Sequence, residues 1–181
     1  MTRNLFNKTY DLFPIFLSFI SWIMQMVFFW KSVHPFSQWH PSVFVVDGIR
    51  FNCAEQFMMY QKAKLFCDDE IADQILQTDK PSVQKQLGRL VKGFDSAEWE
   101  ENRERIVYEA SYHKFTQNPD MQRSLMNTGE KIIVEASPVD TIWGIGLSED
   151  HPDATNPEKW KGLNLLGKAL MKLRNDLAKA K

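Results

Sequence analysis

Cysteine is scarce: the chain has two, Cys53 and Cys67, which excludes a disulfide framework. If one helix joins them they lie roughly 21 Å apart at about 1.5 Å per residue, beyond disulfide reach. Two reduced, buried thiols in a cytoplasmic protein are the expectation. Histidine is equally thin. His34, His40, His113 and His151 are scattered, no H-x-x-x-H or C-x-x-C spacing occurs, and so no metal site or cofactor is called for. An excess of one charge is also missing, with 22 Lys and Arg against 23 Asp and Glu. That excludes a general nucleic-acid binder, which carries a basic surplus, but leaves room for a local basic patch and transient nucleic-acid contact. Internal repeats and low-complexity tracts are absent.

What is present suits a single folded domain. The 181 residues are 44% hydrophobic and 25% charged, ordinary for a globular chain long enough to bury a core. One segment stands apart: residues 12–30 carry no charge and reach membrane-spanning length. It reads as a signal anchor or signal peptide, as a buried N-terminal helix, or as an extension outside the working domain. Met26 stands directly before Val27-Phe28-Phe29-Trp30, a strand by composition. The division adopted is therefore 1–25 as a hydrophobic extension and 26–181 as the domain, with membrane anchoring through 12–30 as the alternative.

Beyond it, residues 42–46, Asp47-Gly48 and Ile49-Arg50-Phe51 spell a hairpin with a type I′ turn. Asn52 is the expected N-cap of a helix running to about Phe66, with Glu55 third in line as in a capping box. A helix from Asp68 or Asp69 carries Ile71, Ile75 and Leu76, and Pro81 opens a third in its first turn. Asp95 with Glu98 opens the longest, which stops before Asn118-Pro119; a short helix follows and closes at Gly129. Residues 131–136 form a strand, 137–162 are loop, and Asn164 caps a helix with Leu166, Leu170, Leu173 and Leu177 as its stripe. The predicted architecture is α+β: one compact, mainly helical domain around a small β-sheet.

Three places can carry chemistry. On the Asn52 helix, Glu55, Met58, Met59 and Lys62 share a face because seven residues return to within about 20° of the start, whereas Lys64 points away. An acid and a base thus line one apolar ridge. The plain account makes Glu55 a cap and Lys62 a solvated side chain. The functional one gives Glu55 proton handling and Lys62 a depressed pKa fit for nucleophilic attack. From Lys80 to Phe94 there are four cations (Lys80, Lys85, Arg89, Lys92) and no acid until Asp95; Lys85 and Arg89, four apart, suit a phosphate unless the run is simply a solvated face. Finally, in Asp140-Thr141-Ile142-Trp143-Gly144-Ile145-Gly146, Asp140 is a ribose-binding or proton-handling acid or a turn-former, and Trp143 can stack on a ring.

The ordered motifs Glu55-Gln56-Phe57-Met58-Met59-Tyr60-Gln61-Lys62-Ala63-Lys64, Leu87-Gly88-Arg89, residues 114–118, residues 142–147 and Trp160-x-Gly162-x-Asn164-x-x-Gly167-x-x-Leu170-Met171 resemble the NADAR domain family, the YbiA-like group associated with NAD and ADP-ribose metabolism. The resemblance runs from about Val27 into the last helix. It implies an α+β fold and hydrolysis of an N-glycosidic bond to ribose, with phosphoribosyl-pyrimidine intermediates of riboflavin synthesis or ADP-ribosylated guanine as substrates. The family's glutamate, lysine, aspartate and tryptophan fall on Glu55, Lys62, Asp140 and Trp143. Gln56 stands where many relatives have histidine, so that histidine's role does not transfer, and Phe36 to Pro41 departs from the commoner Asn-Phe form.

The expected catalytic set is Glu55, Lys62 and Asp140. The expected substrate contacts are Arg89, Lys85, Trp143, Gly144, Asn164 and Trp39. Two chemistries fit: a Schiff base on Lys62, or a carboxylate activating water at an oxocarbenium-like centre. A module that binds ADP-ribose without cleaving it is the alternative from another class.

Overall fold

A computed structural model describes residues 26–180; the readings made for 1–25 lie outside the described residues. Four strands and six α-helices occur in the order β1 (Met26–Phe29), β2 (Phe44–Val46), β3 (Ile49–Phe51), α1 (Ala54–Leu65), α2 (Asp69–Leu76), α3 (Pro81–Gly88), α4 (Ser96–Gln117), α5 (Pro119–Met126), β4 (Ile132–Glu135) and α6 (Leu165–Lys179), with a short 3₁₀ turn at Pro157–Lys159 before the last helix.

The β-structure is split into two pairs. β2 and β3 form the expected antiparallel hairpin, and Asp47 and Gly48 both have positive φ as a type I′ turn demands. β1 pairs in parallel with β4, Met26 beside Ile132 and Phe29 beside Glu135. Alternate residues of this pair enter two cores. Phe29 and Ile133 face the main one, built from α1, α4, α6 and the aromatic cluster of Phe36, Phe44, Phe51, Phe57 and Phe115. Met26 and Val134 face a smaller one with Ile145, Leu147 and Ala154 from the long loop. Covered on both faces, these strands read as continuous apolar runs.

Helix α1 is the hub, packing against α2, α3 and α4, while α6 lies on α4 and β4. Its start is one residue later than predicted. Cys53 occupies the N-cap, and the side chain reaching back to the Asn52 N–H at 2.8 Å is Gln56, now at the third helical position. Asn52 instead holds Asp79 and Gln84. The shift matters for chemistry, because capping occupies Gln56 and leaves the Glu55 carboxyl out of the cap. Both cysteines are free thiols, but only Cys53 is buried; Cys67 is exposed just past the end of α1, with a positive φ that turns the chain toward α2. Asp68 and Asp95 cap α2 and α4 through their side chains. No helix among the described residues is long and apolar enough to cross a membrane.

Candidate active site

A cavity of about 950 Å³ opens between α1, α3, the end of β4 and the loops after β1 and β4. The α1 ridge forms one wall, and Glu55, Met58, Met59 and Lys62 all line it, as the helical angles require. Lys64 turns outward to an ion pair with Asp69. Of the cations in the basic stretch, Lys85 and Arg89 reach the cavity, while Lys92 pairs with Glu70 on the surface. Trp39, Asp140 and Trp143 complete the predicted residues that meet here.

Two of the predicted contacts, Asn164 and Gly144, lie behind the cavity lining. Asn164 is buried with a left-handed backbone at φ 52°. Its side chain accepts from the Glu135 N–H at 3.0 Å and donates to the Ile133 carbonyl at 2.9 Å, so its polar atoms are spent on β4. Gly144 is buried too, and a Cβ there would sit 2.8 Å from the Glu135 carbonyl oxygen. The glycine lets the loop close against the strand. Gly88 is explained similarly: a Cβ would come within 2.1 Å of Met59 Sδ, so it sets the approach of α3 to α1.

Glu55 is 3% exposed, and its Oε1 has no hydrogen-bond partner. Burial raises its pKa to about 7; the nearby Asp140 adds to this, against Lys85, a hydrogen bond from Trp39, and Arg89. Lys62 donates to the Gly88 carbonyl at 2.8 Å and lies 4.2 Å from the Phe94 ring centroid and 5.6 Å from that of Trp99. Desolvation, then the positive charge of Arg89, pushes its pKa below the ordinary lysine value. Asp140 is arranged differently. Its Oδ1 accepts from the backbone N–H groups of Ile142 at 2.9 Å and Trp143 at 2.8 Å.

Several cavity residues escaped sequence reasoning. Trp30 and Trp99 add ring surface, Gln38 presents a buried amide, and Glu135 brings a third carboxyl. Burial lifts the Glu135 pKa to about 8, helped by the charge of Asp140 and, less, of Glu55, and opposed by Lys85. Lys114, outside the cavity and 1% exposed, donates to the Ser37 carbonyl at 2.8 Å. It thereby braces the turn carrying Gln38 and Trp39, whose Gln38 carbonyl accepts from the Glu55 N–H at 3.0 Å.

With this geometry in view, the chain can be set beside known proteins. A model of the NADAR domain matches residues 28–178. The chain belongs to the NADAR domain family. It is 45% identical over 150 residues to an N-glycosidase of Acanthamoeba polyphaga mimivirus, covering 80% of this chain and 88% of that protein. It is 30% identical over 133 residues to the N-glycosidase YbiA of Escherichia coli K12, covering 74% of each. The NMR structure of E. coli YbiA superimposes with a TM-score of 0.71 at 26% identity, covering 86% of both chains. The NADAR relatives place the chain among hydrolases acting on N-glycosyl compounds, and the α+β, mainly helical fold is that of YbiA.

Proposed function

We propose that this NADAR protein hydrolyses the bond between a heterocyclic base and a phosphorylated ribose. The substrate is a small nucleotide of the riboflavin-intermediate type or ADP-ribosylated guanine. One observation carries the reading: a single cavity brings together cations from α1 and α3, carboxyls from α1, β4 and the following loop, and several tryptophans. Each group has a part of such a substrate to meet. Arg89 and Lys85 suit phosphate oxygens. Trp143 and Trp39 offer faces for the base. The carboxyls suit the electron-poor sugar carbon and the proton that must reach the departing base.

Lys62 supplies the nucleophile in this reading. Its neutral amine attacks C1′ of the ring-opened sugar, the C1′–N bond to the base breaks, and the base leaves with a proton. Water then hydrolyses the Schiff base, releasing ribose phosphate and the free amine. The depressed lysine pKa and the Phe94 ring beside its amine support this role.

The riboflavin option gains support from a maize relative, the chloroplastic riboflavin biosynthesis protein PYRR, 31% identical over 178 residues but matched over only 25% of its own length. The deciding experiment is a parallel hydrolysis assay on riboflavin-pathway phosphoribosyl intermediates and on ADP-ribosylated guanine in nucleoside, DNA and RNA form. Release of base from one class identifies the substrate. Saturable binding of ADP-ribose with no turnover of any of them establishes the non-catalytic module instead.

A further inference from the structure

Glu135 was not among the residues the sequence singled out, and its placement is unusually well fixed. It is the last residue of β4, next to Phe29 of β1. Its N–H is held by the Asn164 side chain and its carbonyl accepts from the Ile145 N–H at 3.0 Å, with Gly144 packed against that carbonyl. The backbone is thus clamped on both sides, and the side chain lines the cavity. Its Oε2 is shielded from solvent and has no hydrogen-bond partner. The charged groups facing it are Glu55 from α1, Asp140 from the loop and Lys85 from α3.

The three carboxyls are not equivalent. Asp140 has one oxygen committed to the backbone N–H groups of Ile142 and Trp143, which fixes it in the turn. Glu135 has a shielded oxygen with no hydrogen-bond partner, whereas Glu55, although one of its oxygens is also unpartnered, takes a hydrogen bond from Trp39 and faces Lys85 and Arg89, all of which favour its ionised form. A buried carboxyl without donors keeps its proton. The acidic neighbours Asp140 and Glu55 reinforce this at Glu135.

We infer that Glu135 is the general acid of the N-glycosidase reaction, donating its carboxyl proton to the departing base, while Glu55 accepts the proton of the attacking water. This rests on the hydrolase reading above. As the C1′–N bond breaks, its electron pair stays on the base nitrogen and takes up the Glu135 proton. The water oxygen bonds to C1′, directly or through hydrolysis of an imine on Lys62, and the net proton released by that water goes to Glu55. The products are the free base and the ribose hydroxyl. Glu55 ends protonated and Glu135 ionised, and transfer of one proton between the two resets the site. The raised pKa values of both groups agree with such an exchange near neutral pH.

The test uses the full chain, Glu135→Gln, and two substrates: a phosphoribosyl compound bearing a basic leaving group, and a nitrophenyl riboside phosphate whose phenol leaves without a proton. Wild-type protein should cleave both. The variant should lose about 10²- to 10⁴-fold in kcat on the first and stay within about threefold of wild type on the second. It should also lose the fall in activity that wild type shows as pH rises through about 8. Equal losses on both substrates, or none on either, in a variant with wild-type circular dichroism overturn the assignment while leaving the hydrolase intact. If wild type cleaves neither, the hydrolase reading fails with it. A leaving-group series on the unaltered protein asks the same question without a variant. Rates insensitive to leaving-group pKa below pH 8 support the inference, and a steep dependence at every pH overturns it.

Discussion

The amine of Lys62 donates to the main-chain carbonyl of Gly88 at 2.8 Å, tying the far end of the α1 ridge to the last residue of α3. The same glycine admits the Met59 side chain. One position therefore sets both the spacing of the two helices and the resting place of the amine.

Lys62→Ala and Lys62→Arg should each lose about 10²-fold or more in kcat. Arginine keeps the charge but has no accessible neutral form. Borohydride added during turnover should leave a mass adduct on the wild-type chain and none on either variant. Full activity in Lys62→Ala, with no adduct on wild type, returns the nucleophile to water.

Gly88→Ala sets two effects against each other. Helix propensity favours alanine by about 1 kcal/mol, but the new methyl collides with Met59 Sδ. Overpacking of this kind costs about 1–3 kcal/mol, so a net loss is expected in urea unfolding. Met59 lines the cavity, and its displacement should raise KM as well. Unchanged stability would show that α3 shifts freely.

Asn164→Ala removes two hydrogen bonds to β4 and leaves a non-glycine residue with positive φ. Leaving those buried backbone groups unpaired should cost about 2 kcal/mol or more, seen as a lower melting temperature. KM of the folded variant should stay within about twofold of wild type. A large rise in KM at unchanged melting temperature would restore Asn164 as a substrate contact.

Stability should depend on pH with a minimum near 7 to 8. Glu55 and Glu135 titrate at about 7 and 8 in the fold against an ordinary 4.5, so over that interval the folded chain holds more protons than the unfolded one. Their contribution falls as pH rises, by on the order of a few kcal/mol. Lys114, whose pKa burial lowers from 10.5 to about 7, acts in the opposite sense, and stability recovers as pH climbs between those values. Glu55→Gln with Glu135→Gln should raise the urea midpoint at pH 8 and barely change it at pH 5. Lys114→Met should remove the recovery above pH 7. A flat profile in the wild-type chain would contradict the burial of all three.

Local patterns made most of the elements legible. The Asp47-Gly48 hairpin, the caps at Asp68 and Asp95 and the leucine stripe of α6 are set by neighbours within a few positions. So is the α1 ridge that brings Lys62, not Lys64, to the cavity. The one-residue error at the start of α1 arose because glutamate and glutamine cap equally well by type, and only the fold reveals that Gln56 does so. Glu135 was hidden for another reason. At the end of an apolar run it reads as a strand terminus, and its neighbours Glu55 and Asp140 come from elsewhere in the chain. The backbone contacts of Asn164 were not legible, because they reach β4, some thirty positions earlier in the chain.

The parallel pairing of β1 with β4 also has a bearing on synthesis. A ribosome delivers β1 first and its partner more than a hundred positions later, so this apolar strand must wait unpaired through most of translation. Contacts so distant along the chain form slowly, and exposed strand edges invite aggregation meanwhile. Because Phe29 pairs with Glu135, the carboxyl assigned as general acid is seated by that same late closure. A growing chain can acquire its helices early and still lack a working centre until the strand that carries Glu135 arrives.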